Sequence, residues 1–152
     1  MRIRALSGRA LAIIGITPLA LVTAPVAIAD PGLIAVTEHA TTDTVTDVQA
    51  HGDSAGDILT FANDVFDATN TTQMGSDQGV CIRVVPGVSW DCRWTLILSD
   101  GQVMVQGPYF DQADSTLTIV GGTGRYVDAA GEMELTHIVP DDSSYLFTYH
   151  IR

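Results

Sequence analysis

Two cysteines, four histidines, a glycine-rich quartet and two tryptophans are the residues here whose types and spacing could do chemistry. Cys81 and Cys92 flank Pro86-Gly87, a turn signal between two apolar runs. If Pro86-Gly87 is a two-residue hairpin tip, the two thiols stand directly opposite each other and close enough to bridge. A three-residue loop shifts that register and spoils it. The even cysteine count also favours a disulfide, and a zinc site lacks further cysteines nearby. His39, His51, His137 and His150 show no H-x-H or H-x-x-x-H spacing, so each reads as a surface or strand-packing residue and no metal is expected. There is no Asp-x-Asp-x-Asp-Gly calcium loop and no Gly-x-Ser-x-Gly elbow. Gly121-Gly122-Thr123-Gly124 lacks the Lys-Ser/Thr ending of a phosphate loop and a following helix, so it reads as a tight corner. Trp90, Trp94, Leu96 and Leu98 share one parity with Cys92. That face is core or the wall of an apolar cavity, and parity does not separate a filled barrel from a hollow one.

These residues must be positioned by strands. Runs of β-type sequence cover 33–39, 58–66, 80–85, 88–98, 102–107, 116–120, 132–139 and 145–151, separated by Gly, Pro, Asp and Ser clusters. Residues 41–50 read as a loop or poor strand, and 67–78 as a polar loop. Glu132 and Glu134 alternate with Met133 and Leu135, as on a strand with one buried face. No stretch reads as an amphipathic helix. About eight strands at short spacing point to an all-β, closed eight-stranded antiparallel barrel, because closure removes the edge strands; a β-sandwich is the runner-up. The last strand is expected to pair back near the first.

The N-terminus carries Arg2, Arg4 and Arg9, then an apolar run, then Ala27-Ile28-Ala29. This is the pattern of a signal peptide over residues 1–29, cleaved before Asp30 to leave one domain, 30–152, outside the cell. All 18 acids lie after that site, against four arginines, Arg83, Arg93, Arg125 and Arg152, and no lysine, for a net charge of −14. Such a chain has too few cations to displace counterions from a nucleic acid, and an anionic membrane repels it. Neither is an expected partner.

Val105-Gln106-Gly107-Pro108-Tyr109, followed by Ile119-Val120-Gly121-Gly122-Thr123-Gly124-Arg125-Tyr126 and Ala129-x-Gly131, resembles the allene oxide cyclase family and the dirigent proteins that share its barrel. Upstream, Gly56-Asp57-Ile58-Leu59-Thr60-Phe61-Ala62-Asn63 resembles the family's Gly-Asp-x-x-x-Phe-x-Asn strand, and Gly79-Val80-Cys81 its Gly-Ile-Cys strand start. The resemblance implies an apolar cavity, no cofactor, a small apolar ligand and, by family analogy, a homo-trimer. It implies an intramolecular cyclase, an isomerase, in which Tyr109 is a cavity tyrosine, Asn63 helps hold a water, and Glu38 matches a cavity glutamate able to stabilise a developing cation. Leu59 and Phe61 match apolar wall positions and Cys81 a cavity-lining thiol; Trp90 and Trp94 complete the expected ligand contacts. The alternatives are a non-enzymatic binder of lipophilic molecules and a filled structural barrel.

Overall fold

The computed structural model describes residues 32–49, 52–140 and 143–152. The expected signal peptide and its cleavage site, and His51, lie outside them. Nine strands follow one another: β1 Gly32–His39, β2 Thr44–Thr46, β3 Ile58–Asp67, β4 Gln73–Val85, β5 Ser89–Leu98, β6 Gly101–Phe110, β7 Ser115–Gly124, β8 Gly131–His137 and β9 Ser144–Ile151. Among the described residues there is no helix. From β3 to β9 each strand pairs antiparallel with the next, β9 pairs with β1, and β1 pairs with β3, so the sheet closes on eight strands. The last strand does return to the first. β2 is an addition: it continues along the edge of β3 at Thr60, Leu59 and Ile58, where β1 no longer reaches.

Alternation explains the core. Trp90, Cys92, Trp94 and Leu96 on β5 are buried, with the intervening Asp91 and Arg93 exposed. Met133 and Leu135 point inward while Glu132 and Glu134 point out. Each such inward residue removes apolar area from water at roughly 25 cal/mol per Å², and closure lets all eight strands share one core.

Three expectations are corrected. Residues 73–78 are strand, not loop: β4 starts at Gln73 and pairs with both β3 and β5. Its inward positions there are Gly75 and Asp77, so the usual apolar alternation is absent. Gly79 is small for a reason, because a Cβ there collides with the Trp94 Cβ and the Phe61 ring. The β6 and β7 strands also run further than expected, through Tyr109 and through the Gly121–Gly124 corner. Finally, the β4–β5 turn holds three residues, Pro86 to Val88, closed by Val88 N–H to Val85 C=O. A bulge between Arg83 and Val85 absorbs the extra residue, so Cys81 still faces Cys92 and the disulfide forms.

The barrel's two ends differ. At one, the turn after β7 uses Gly124 at φ 61°, and Tyr126 and Ala129 fold in as a buried plug. The Tyr126 hydroxyl donates to Asp100 Oδ1 at 3.2 Å. At the other end lie Tyr109, His137 and Tyr145, with the charged cluster around Arg83 beside them.

Candidate functional site

Between β1 and β2 the chain leaves the sheet at Ala40–Asp43, and one side chain fills the break. Asn63, 1 % exposed on β3, accepts the Thr41 and Thr42 backbone N–H groups at Oδ1, at 3.1 and 3.0 Å. Its Nδ2 donates to Glu38 Oε1 at 2.8 Å and to Asp43 Oδ1 at 2.9 Å. Both amide hydrogens are therefore used on carboxylates, and neither is left for the water that the resemblance suggested. Asn63 instead fixes Glu38, from the end of β1, against the interior.

Glu38 and Asp43 are the acids on the wall of a small cavity of about 50 Å³. Leu59, Phe61, Cys81, Trp94, Tyr109, Leu135, Tyr145 and Phe147 make up the rest. Of the residues expected from sequence to touch a ligand, Leu59, Phe61, Cys81, Trp94, Tyr109 and Glu38 are brought together here. Cys81 lines the wall as half of a disulfide, so it offers no thiol. Trp90 does not reach the cavity. Its indole N–H donates to Asp111 Oδ1 at 3.1 Å, and its ring carries the Arg83 guanidinium 3.8 Å above the centroid.

The wall is apolar, but one further acid stands behind it. Asp77 is 1 % exposed and sits on β4 opposite Asn63 on β3 and Leu96 on β5. Burial is the largest influence on both Glu38 and Asp77 and raises both carboxyls well above the usual range. For Glu38, the Asn63 amide pulls back against burial; for Asp77, the Glu38 charge pushes further in the same direction. Sequence reasoning missed Asp77 because it treated 67–78 as loop. The signal was there in the parity of Cys81, which Asp77 shares.

Tyr109 and Tyr145 both line the cavity, and their hydroxyls are 3.4 Å apart. The His137 ring stacks on Tyr109 at 5.9 Å and meets Tyr145 edge-on at 5.3 Å. Burial, then the Tyr145 hydroxyl, raises Tyr109 far above the usual phenol range, so it remains a donor at any working pH. Next to the cavity lies a groove of about 650 Å³ that shares Tyr109 and Tyr145 with it and adds His137, Asp111, Asp114 and Val139. The inner cavity alone has room for a water or two, whereas the groove has the volume of a small-molecule site. The groove can hold a ligand on its aromatic rings, with no more than a small group of it reaching the carboxyl in the apolar wall.

Among the described residues no group of three or more His, Cys, Asp or Glu is arranged to hold a metal ion. The model of the allene oxide cyclase family matches residues 36–152. Three solved structures share the fold: a pyocyanin demethylase at 22 % identity and TM-score 0.68, over 79 % of this chain and 99 % of that one; a pterocarpan synthase dirigent protein at 14 % and 0.63, over 79 % and 95 %; and a Diels–Alderase from Streptomyces koyangensis at 19 % and 0.61, over 78 % and 64 %.

Proposed function

The chain belongs to the allene oxide cyclase family, and from that premise we propose that it captures a small, uncharged, apolar molecule at the aromatic end of its barrel and steers a cofactor-free cyclisation or isomerisation beside Glu38. The observation that carries this reading is a buried carboxyl, Glu38, held with Asp43 by the Asn63 amide on a cavity wall otherwise built largely from Leu, Phe, Trp and Tyr. In a water-poor site a fixed anion stabilises positive charge developing on a ligand far more than it does in water. The aromatic groove holds a flexible ligand in a reactive fold, with a small group of it turned toward Glu38, which lowers the entropic part of the barrier. Tyr109, always protonated, orients a ligand oxygen.

The groove argues for an uncharged ligand. Asp111 and Asp114 line the groove and Asp43 the cavity, the chain has no lysine, and Arg83 at that end is already engaged by Asp53 and Asp111. A carboxylate ligand meets repulsion there with no cation to answer it. The similarity to a dirigent protein and a Diels–Alderase supports steering of a reactive intermediate as the chemistry.

Export is part of the same proposal, and the Cys81–Cys92 disulfide supports an oxidising compartment. The test incubates residues 30–152 with an allene oxide, and separately with a phenolic radical, and measures product chirality. Enantiomeric excess that rises with protein concentration is expected; racemic product at every concentration rejects the catalytic reading. The smallness of the inner cavity favours one second reading, a binder that holds its ligand in the groove without transforming it. Native mass spectrometry of protein from its own host, showing bound ligand with racemic turnover, would select that reading.

A further inference from the structure

Two carboxyl groups buried side by side in a barrel are an electrostatic problem with few solutions. Both oxygens of Asp77 lack a completed hydrogen bond from any described residue. The Asn63 backbone N–H approaches, and the facing side chain is the Glu38 carboxyl. Two carboxylates are both acceptors, so only a proton can join them. Among the described residues no cation relieves the pair. Arg83 lies on the same face of β4 but six residues away, about 20 Å at strand spacing, and it is engaged by Asp53 and Asp111. The other titratable groups facing the pair are Asp43, from the loop after β1, and Tyr149, from β9. Asp43 adds negative charge, and the fully buried Tyr149 phenol is held neutral by that burial.

Geometry also says which acid keeps the proton. Glu38 receives the Asn63 amide at 2.8 Å, which favours its anion, whereas Asp77 has no comparable donor. Glu38 also lines the cavity and Asp77 does not.

We infer that Asp77 is a positioning residue for Glu38: it stays protonated, donates that proton in a hydrogen bond to the Glu38 carboxylate, and so presents Glu38 to the cavity as the anion of a pair carrying one negative charge. The inference rests on the reading of Glu38 as the cavity anion. It assigns to β4 a group that touches no ligand but sets the charge of one that does. The proton remains between the two carboxyls throughout, so a rearrangement of the ligand neither gains nor loses one through Asp77.

The test titrates the side-chain carboxyl carbons by NMR in residues 30–152, for the wild type, Asp77→Asn, Asp77→Ala and Glu38→Gln. In the wild type Glu38 should ionise first and Asp77 at higher pH. Asp77→Asn keeps a donor, and should leave the Glu38 midpoint in place or lower it. Asp77→Ala removes the donor, and should raise that midpoint by about one unit. A purely structural Asp77 changes stability in both variants and moves Glu38 in neither. Ionisation of Asp77 in the ordinary carboxylate range, before Glu38, overturns the inference from the wild type alone, whether or not Asp77→Ala folds. In Glu38→Gln, Asp77 should remain protonated past neutral pH because burial persists. These readings need no substrate, so racemic turnover with the expected titration rejects the catalytic reading while leaving this one standing.

Discussion

One strand, β4, contributes a buried charged residue to each of two clusters, Arg83 to one and Asp77 to the other, and the two are resolved in opposite ways. Near the aromatic end, Arg83 contacts Asp53 at 2.6 Å, donates from Nη1 to both oxygens of Asp111 at 2.8 and 2.7 Å, and stacks on Trp90. Every charge has its partner. Deeper in, Asp77 and Glu38 share an apolar interior with no cation among the described residues. The Cys81–Cys92 bridge lies between them on the same inner face, one layer from Arg83 and Trp90 and two from Asp77 and Leu96. The difference teaches where to look for chemistry. A compensated buried ion cluster holds structure together, whereas two like charges confined together lower stability and shift ionisation, which is the mark of a working site.

The comparison breaks most visibly at Arg83. Arg83→Met leaves Asp53 and Asp111 facing each other without their cation. Loss of one partner from a buried pair is worth about 3–5 kcal/mol, and the partial exposure of Asp53 puts the expectation near 3. Urea unfolding measures it. A loss below about 1 kcal/mol would remove the structural half of the contrast. Replacing both cysteines by alanine comes next. The bridge spans a sequence separation of 11, for which loop entropy gives about 2.5–3 kcal/mol. Because the bridge stands between the clusters, that variant should lower unfolding stability while leaving the Glu38 and Asp77 titrations ordered as before. Inverted midpoints would mean the bridge positions the acids as well.

Much of the fold was legible because parity and turns speak locally. Eight strands, the closure of the last on the first and the Cys81–Cys92 register all follow from alternation and from Pro86-Gly87. Even there the right register arose by a different route, since a three-residue turn was cancelled by a bulge that no residue type announces. The site was legible where it is apolar: Leu59, Phe61 and Trp94 read as wall. It was illegible where it is polar. Residues 73–78 look like a loop because a strand whose inward positions are Gly75, Asp77 and Gly79 shows no apolar stripe, and Asp77 was hidden with it. Trp90 shares parity with Trp94, but parity gives the face and not the height along the barrel. Height put Trp90 beside Arg83 instead of the cavity. Arg83 itself gave no signal, since its partners Asp53 and Asp111 are 30 and 28 residues away in sequence.

The acid pair predicts a pH dependence that the Arg83 cluster does not. Above about pH 5 the unfolded chain has largely released the protons of both acids, while the folded barrel, where both are raised, still holds them. Folding then takes up protons, so wild-type stability should fall as pH rises toward the folded-state values, by at most about 1.4 kcal/mol per pH unit for each retained proton. Asp77→Asn removes one of the two steps, so its curve should be flatter and should cross above the wild type on the alkaline side. Parallel curves for the two proteins, from urea unfolding across pH 4 to about 9, would mean that Asp77 ionises normally, and the two clusters would no longer differ in kind.

Tyr109 gives the smallest expected change in stability. Its hydroxyl stands 3.4 Å from that of Tyr145, beyond the usual range for an O–H···O bond, so little stability depends on it. In Tyr109→Phe the ring still stacks on His137, and unfolding should shift by no more than about 0.5 kcal/mol. Binding should respond more. A buried phenol kept protonated is a donor aimed at a ligand oxygen, and losing one such hydrogen bond is worth about 1 kcal/mol, roughly a five-fold weaker affinity for a neutral phenol followed by Trp94 fluorescence. The two readouts separate the roles that the clusters exemplify. Weakened binding at unchanged stability puts Tyr109 with Glu38, on the working side of the molecule; lost stability at unchanged binding puts it with Arg83, as a strut of the barrel's aromatic end.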